Sequence, residues 1–415
     1  MIKHEAFLMN KSIADIEFIV GIPSYMEADT ISFVTKKVDQ GLTKYFSDFK
    51  CLIVNVDNNS KDDTKGAFLS TKTKTQKHYI STPKGVKGKG NNFLNLYKFA
   101  KNHIKTLKGG IVIDADIRSI TPEWIKYLGE PILEGYDYTL PLYSRHQFDG
   151  TITNHICYPI FYGLLGEDIR QPIGGEFGFS PSLIKHWLKQ KWNSSTKQYG
   201  VDIFMTLHAI FGNFRICEVG LGVKIHKASA PKLGPMFTQV ITTLFDILLS
   251  QESCWINIPV IKPKKKERFG LEKLEQPQEL KIDMLELKAK LRKEYFLRQK
   301  LLKRILSDYA SSSLIKMFEQ DIYNIDILMW TQLVYQLLFS YKNGSQLVRK
   351  DIIEALKPLY FTRSVTFNYQ TWRYNAKYVE EAILEQAKAF AAQKPYYLGL
   401  QVNESKKKAA ECKAD

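Results

Sequence analysis

The sequence predicts an α/β fold with a mainly parallel sheet, followed by a helical C-terminal region. Two observations carry this. Short apolar runs recur through the first half, each ending in a polar or acidic loop. Between them lie segments whose apolar residues recur at helical spacing. Strands alternating with helices give a parallel sheet covered on both faces, and ligands of such sheets bind beyond the carboxyl ends of the strands.

The elements follow in order. Phe18-Ile19-Val20-Gly21-Ile22 is strand-like and ends at Pro23. Ile31, Val34, Val38 and Leu42 then mark a helix face, with Asp29 or Thr30 as N-cap. Cys51 to Val56 reads as a second strand ending at Asp57, and Tyr79-Ile80 lies in a third. Phe93, Leu96, Tyr97, Ala100 and Ile104 form another helical stripe. Ile111 to Asp114 is the fourth strand, and Thr121-Pro122-Glu123 is a helix start with Thr as cap and Pro in the first turn. Pro23, Asp57 and Asp114 all fall at strand ends.

The expected organisation is a nucleotide-binding domain over 1–260, a basic linker over 261–278, a helical domain over 279–400 and a charged tail over 401–415. With 415 residues, 44% hydrophobic and 13% aromatic, the chain can bury a sizeable core and is not of disordered composition. The net charge of +16 suits attraction to nucleic acid, acidic lipid or phosphorylated substrates, and equally suits solvated lysine-rich helix faces. No arginine-rich stripe interleaved with aromatics points to specific nucleic-acid binding. Five dispersed cysteines without C-x-x-C spacing argue against a disulfide framework or zinc site. With no signal-type apolar stretch and no uninterrupted apolar run of spanning length, a cytoplasmic protein without a transmembrane segment is expected.

Chemistry concentrates in a few loops. Asp114-Ala115-Asp116 ends an apolar strand with two carboxylates one residue apart, a poor arrangement for a core and a good one for a divalent cation carrying phosphates. Tyr25 and Glu27, after Pro23, suit a wall of a base-binding slot or an ordinary turn. Asp57 can accept from a base or ribose hydroxyl, or organise its Asn- and Ser-rich loop. Lys84 to Gly90 alternates Lys and Gly ahead of a helix, which suits phosphate or a surface loop; it lacks Walker A spacing. Gln171-Pro172-Ile173-Gly174-Gly175-Glu176 is a tight turn whose carboxylate can hold sugar hydroxyls or merely connect elements. His226 follows a strand-like stretch and becomes a Mn²⁺ or Mg²⁺ ligand candidate if it faces Asp116.

Taken together, the segments from Ile16 to Val240 resemble the GT-A glycosyltransferases, Rossmann-like enzymes, in the group containing glucosyl-3-phosphoglycerate synthase and mannosylglycerate synthase. The resemblance rests on Gly88-Lys89-Gly90, Asp114-Ala115-Asp116 with Thr121-Pro122-Glu123-Trp124, Gln171 to Glu176, Tyr199-Gly200-Val201-Asp202 and Leu221 to His226. It implies that Pro23, Tyr25, Glu27 and Asp57 hold the nucleoside, with Lys89, Asp114 and Lys224 completing the donor site. It implies Asp116 and His226 as ligands of Mg²⁺ or Mn²⁺. Asp114, Glu176 and Asp202 are the catalytic candidates; Glu176 would position the hexose. Arg145, Thr151 and Thr153 match the region that holds the acceptor.

The implied reaction moves a hexose with retention from a nucleotide sugar, UDP-glucose ahead of GDP-mannose, to 3-phosphoglycerate or glycerate. A homodimer is expected. The competing classes are a nucleotidyltransferase of α/β fold, which would release pyrophosphate, and a basic nucleic-acid- or membrane-surface-binding protein, which would have no need of Asp114 and Asp116. The helical region fits either dimerisation or covering of the acceptor.

Overall fold

The computed structural model describes residues 13–227, 233–259, 262–272, 275–277 and 284–411. They fall into two compact units. The first takes the described residues up to Ser144, with Gln171–Thr243 and Lys266–Glu275; the second takes Arg145–Arg170, Leu244–Lys265 and the described residues after Gln276. A single boundary near 260 is therefore corrected to an interleaved division, in which the chain leaves the first unit at 145 and again at 244 before returning.

The first unit is built on one eight-stranded sheet. Its strands are β1 (Phe18–Ser24), β2 (Cys51–Asp57), β3 (Gln76–Ser81), β4 (Gly109–Val112), β5 (Tyr138–Ser144), β6 (Phe177–Phe179), β7 (Ile216–Val223) and β8 (Arg268–Gly270), in the order β8-β7-β5-β6-β4-β1-β2-β3. Neighbours run parallel except β6, which is antiparallel to both β4 and β5. Every residue of β1 is buried, as expected of a central parallel strand covered on both faces.

Helices α1 (Ile31–Tyr45), α2 (Thr64–Ser70), α3 (Lys89–His103), α4 (Pro122–Leu133), α5 (Pro181–Lys189) and α6 (Val201–Phe211) belong to this unit. The N-cap of α1 is Thr30. Ile31, Val34, Val38 and Leu42 of α1 join Phe18, Val20, Ile22, Trp124, Ile125 and Leu128 in one core. The helices approach closely because Gly41 has no side chain; a Cβ there would lie 2.5 Å from Ile125 Cγ1. Trp124 is buried in this core and its ring sits 5.4 Å from that of Tyr143. Trp124→Ala is expected to cost about 3–5 kcal/mol, read as a lowered urea midpoint with an unchanged slope.

Part of the expected basic linker is a sheet edge. Arg268–Gly270 pairs with Glu218–Gly220 of β7. Backbone bonds Glu218 N to Glu267 O and Leu271 N to Gly220 O, both 2.9 Å, flank the pairing, and Arg268 Nε donates to the fully buried Glu218 at 2.8 Å. Among the described residues one helix, α7 (Leu233–Ser250), is long and apolar enough to cross a membrane by length and composition, a test that a buried core helix also passes. Phe237, Val240, Ile241 and Leu244 on it are buried, as in a core helix.

In the second unit residues 151–165 form a helix with π turns at Thr153–Cys157 and Phe161–Leu165. Six longer helices follow in the described chain: α8 (Met284–Ile305), α9 (Asp308–Glu319), α10 (Ile327–Asn343), α11 (Gln346–Thr371), α12 (Ala376–Ala392) and α13 (Lys394–Glu411). Tyr158, Phe367, Val379, Ile383 and Ala387 pack together, and Arg170 binds Glu380 through Nε at 2.6 Å and Nη2 at 2.8 Å.

Candidate active site

The acidic and basic residues of the first unit meet beyond the carboxyl ends of β1 and β4. Lys89 opens α3. Its Nζ lies 3.0 and 3.1 Å from the two carboxylate oxygens of Asp114 and 3.7 Å from Asp202 Oδ2. Asp114 is placed by the loop that ends β4, and Asp202 by the first turn of α6. Burial works against the Lys89 charge, but Asp114, Asp202 and Glu176 outweigh it and hold the ammonium above its ordinary range. Burial likewise opposes the Asp114 charge, and Lys89 and Lys224 overcome it, so Asp114 stays below the usual carboxylate range.

Glu176 lies at the mouth of β6 and is fully buried. Its Oε2 accepts from Lys224 Nζ at 2.8 Å and from the Tyr143 hydroxyl at 2.5 Å, and Lys224 also donates to the Gly174 carbonyl at 2.7 Å. The turn needs glycine at 175, where φ is +96° and a Cβ would sit 2.6 Å from Asp114 Oδ2 and 3.0 Å from Lys224 Nζ. Burial pushes the Glu176 carboxyl up despite Lys224, and does the same to Asp202 despite Lys89. Glu176 Oε1 and Asp202 Oδ1 are buried without a hydrogen-bond partner. Such acceptors are costly to leave unmet, and a water, a proton on the carboxyl or a ligand donor can satisfy them.

Asp116 is half-buried and has no ion pair among the described residues. His226 Nδ1 lies 2.7 Å from the Lys227 carbonyl. A carbonyl only accepts, so in the neutral ring Nδ1 carries the proton and Nε2 the lone pair, the usual arrangement of a metal-binding imidazole. Segment 225–226 is tied to the Asp116 loop, because Arg118 N donates to Ile225 O at 2.8 Å and Ile225 N to Ser119 Oγ at 3.0 Å. No three His, Cys, Asp or Glu side chains among the described residues form a ready-made cation site. A cation held by Asp116 and His226 would therefore have to take its remaining positions from oxygens of a bound molecule.

On the β1 and β2 side, Tyr25 is exposed, and Lys87 Nζ donates to its hydroxyl at 2.8 Å. Pro23 is buried within β1. Glu27 Oε2 accepts from Lys227 Nζ at 2.6 Å, and burial raises its carboxyl, with Asp116 adding to the rise. Asp57 is 1% exposed and already engaged: Oδ1 accepts from Ser24 Oγ at 3.0 Å and Ser60 Oγ at 2.6 Å, Oδ2 from Ser60 N at 2.7 Å and Tyr79 Oη at 3.1 Å. Of its two expected roles, the geometry favours organising the loop over meeting a ligand.

Arg145, Thr151 and Thr153 belong to the second unit. Arg145 Nε lies 3.8 Å from Asp149. The Thr151 hydroxyl shares a hydrogen bond with that of Tyr360, and Thr153 is buried in the first π turn. Sequence reasoning missed Tyr143, the second partner of Glu176, and Lys227, which bridges Glu27 and Asp29. Tyr143 carried no signal beyond its place at a strand end; Lys227 stood next to His226.

No protein-family model matches the chain, and no curated protein matches it. Among solved structures it is similar to glucosyl-3-phosphoglycerate synthase of Mycobacterium tuberculosis. The complex of that protein with Mn²⁺, UDP and glucosyl-3-phosphoglycerate aligns at 24% identity over 58% of this chain and 82% of that one, with a TM-score of 0.46. Its complexes with Mg²⁺ and UDP, and with Mn²⁺, UDP-glucose and phosphoglyceric acid, align at the same identity and coverage with a TM-score of 0.45.

Proposed function

We propose that the protein is a retaining, metal-dependent glycosyltransferase that moves a hexose from a nucleotide sugar, UDP-glucose in preference to GDP-mannose, to 3-phosphoglycerate or glycerate. The observation that supports this best is the pair of buried, unpartnered carboxylate oxygens, Glu176 Oε1 and Asp202 Oδ1, in a cluster that also holds Lys89 and Asp114. Acceptors without donors beside an ammonium suit a ligand rich in hydroxyls that also carries phosphate.

In this reading Lys89 faces the diphosphate and offsets the charge that develops as the anomeric C–O bond breaks. Glu176, held by Lys224 and Tyr143, accepts from hexose hydroxyls and fixes the ring. Asp202 accepts from a further hydroxyl. Tyr25 and Glu27 flank the nucleoside. Asp116 and His226 would hold a divalent cation, which supplies Lewis-acid neutralisation of the leaving diphosphate. The acceptor oxygen bonds to the anomeric carbon on the face that the diphosphate leaves, and its proton passes to a departing phosphate oxygen. No side-chain nucleophile is needed.

The test is a donor screen: each nucleotide sugar with 3-phosphoglycerate or glycerate and Mn²⁺ or Mg²⁺, monitoring nucleoside diphosphate release. Pyrophosphate release would mark a nucleotidyltransferase instead. Calorimetry in Mn²⁺ that finds no binding of UDP or GDP would remove the proposal. For the acceptor, Arg145 is the expected anion contact. A charge-assisted hydrogen bond is worth about 1.5–3 kcal/mol, so Arg145→Ala should raise the acceptor KM roughly ten- to a hundredfold and leave donor affinity nearly unchanged. An unaltered acceptor KM would reject that role.

A further inference from the structure

Helix α8 carries a cationic face that the catalytic reading does not use. At about 100° per residue, Lys293, Phe296, Leu297, Lys300, Lys303 and Arg304 fall within an arc of about 120°. All six are exposed, whereas Leu291, Tyr295 and Leu302 lie on the opposite face and are buried. The helix is thus anchored by one stripe and presents the other to solvent. Lys293, Lys300, Lys303 and Arg304 have no ion pair among the described residues, and the exposed stripe contains no acid. The adjoining Arg292 lies 3.9 Å from Asp321, in a half-exposed pair.

Two large apolar side chains sit within this field of charge. Phe296 is 38% exposed and Leu297 66%. Nothing in a merely solvated lysine face calls for them. Cations that attract an anionic surface, around apolar side chains that enter it, are the two features of a helix lying in a membrane interface. The stripe from Lys293 to Arg304 runs about 16 Å along the helix, enough to lie flat over several headgroups. Helix α8 alone contributes eight Lys and Arg against two Glu within a chain of net charge +16, so complementarity favours an anionic partner. Leucine does not stack on bases, which sets lipid ahead of nucleic acid.

We propose that the exposed face of α8 is a peripheral docking surface for anionic lipid bilayers. The full chain should co-sediment with vesicles of phosphatidylcholine containing about one-third phosphatidylserine at low salt, and not with pure phosphatidylcholine vesicles. High salt should release it. Each surface cation is worth about fivefold in partition, so the triple variant Lys293→Gln, Lys300→Gln, Lys303→Gln should bind about a hundredfold more weakly. Phe296→Ser with Leu297→Ser should weaken binding at least about tenfold, with an unchanged circular dichroism melt. Binding that is equal on neutral vesicles, or unmoved by both variants, would overturn the proposal. So would a single-stranded RNA that displaces the vesicles and responds to the same variants, or a change in sedimentation equilibrium mass without lipid binding, which would mark a nucleic-acid or self-association surface.

Discussion

Asp116→Ala is expected to lower transfer by roughly a hundredfold or more while leaving the thermal unfolding profile nearly unchanged. The two halves of this result have separate causes. Asp116 is half-buried and makes no ion pair among the described residues, so little folded-state interaction is lost. Asp114, two residues away, already has Lys89 as its counter-ion at 3.0 Å and is poorly placed to substitute. In the proposed reaction the loss is therefore one of charge neutralisation at the leaving diphosphate. His226→Ala should behave alike, and EDTA should abolish the activity of the parent protein, with Mn²⁺ or Mg²⁺ restoring it. Full activity in EDTA, or an active Asp116→Ala protein, would remove the metal-dependent mechanism.

Lys224→Met should act on stability as well as on turnover. It leaves the Glu176 carboxylate buried beside Asp114 with only the Tyr143 hydroxyl as donor. Removing one partner of a buried pair typically costs about 3–5 kcal/mol. The sign of the pH dependence follows. Burial raises the Glu176 carboxyl above its ordinary value near 4.5, and losing Lys224 raises it further. A raised folded-state pKa contributes stability that is fully present below the unfolded value and lost as pH rises through the folded one. The deficit of Lys224→Met should thus be small in acid and grow above about pH 4.5. Urea denaturation across that window measures it, and the double variant Lys224→Met, Glu176→Gln should recover most of the loss at neutral pH. A deficit independent of pH would show that lost packing of the Lys224 stem, not the charge, is responsible.

Much of the sheet was legible because its central strands are continuous apolar runs ending in polar loops; β1, β2 and β4 announce themselves this way. Strand β6 did not. It is three residues, Phe177-Gly178-Phe179, and its reversed direction is set by neighbours distant in sequence. Strand β8 was hidden in a basic stretch that reads as linker, because the strand it pairs with, carrying the buried Glu218 that receives Arg268, lies fifty residues upstream. At the site, Asp114, Lys89, Glu176 and Asp202 were named from loops and motif resemblance, but their mutual pairing was not, since it depends on how four loops converge. Asp57 shows the converse. A strand-end carboxylate looks available in sequence, and only coordinates reveal that Ser24, Ser60 and Tyr79 have already filled its lone pairs.

The interleaving of the two units has a consequence for synthesis. The sheet's outer edge comes from residues 268–270, after the chain has twice left to contribute to the second unit. On a ribosome the first unit therefore cannot finish until most of the polypeptide has emerged, and Glu218 waits without its arginine through that interval. A nascent chain halted before residue 268 should hold a sheet with β7 as an unpaired border, which is the kind of edge that chaperones bind and that aggregates recruit.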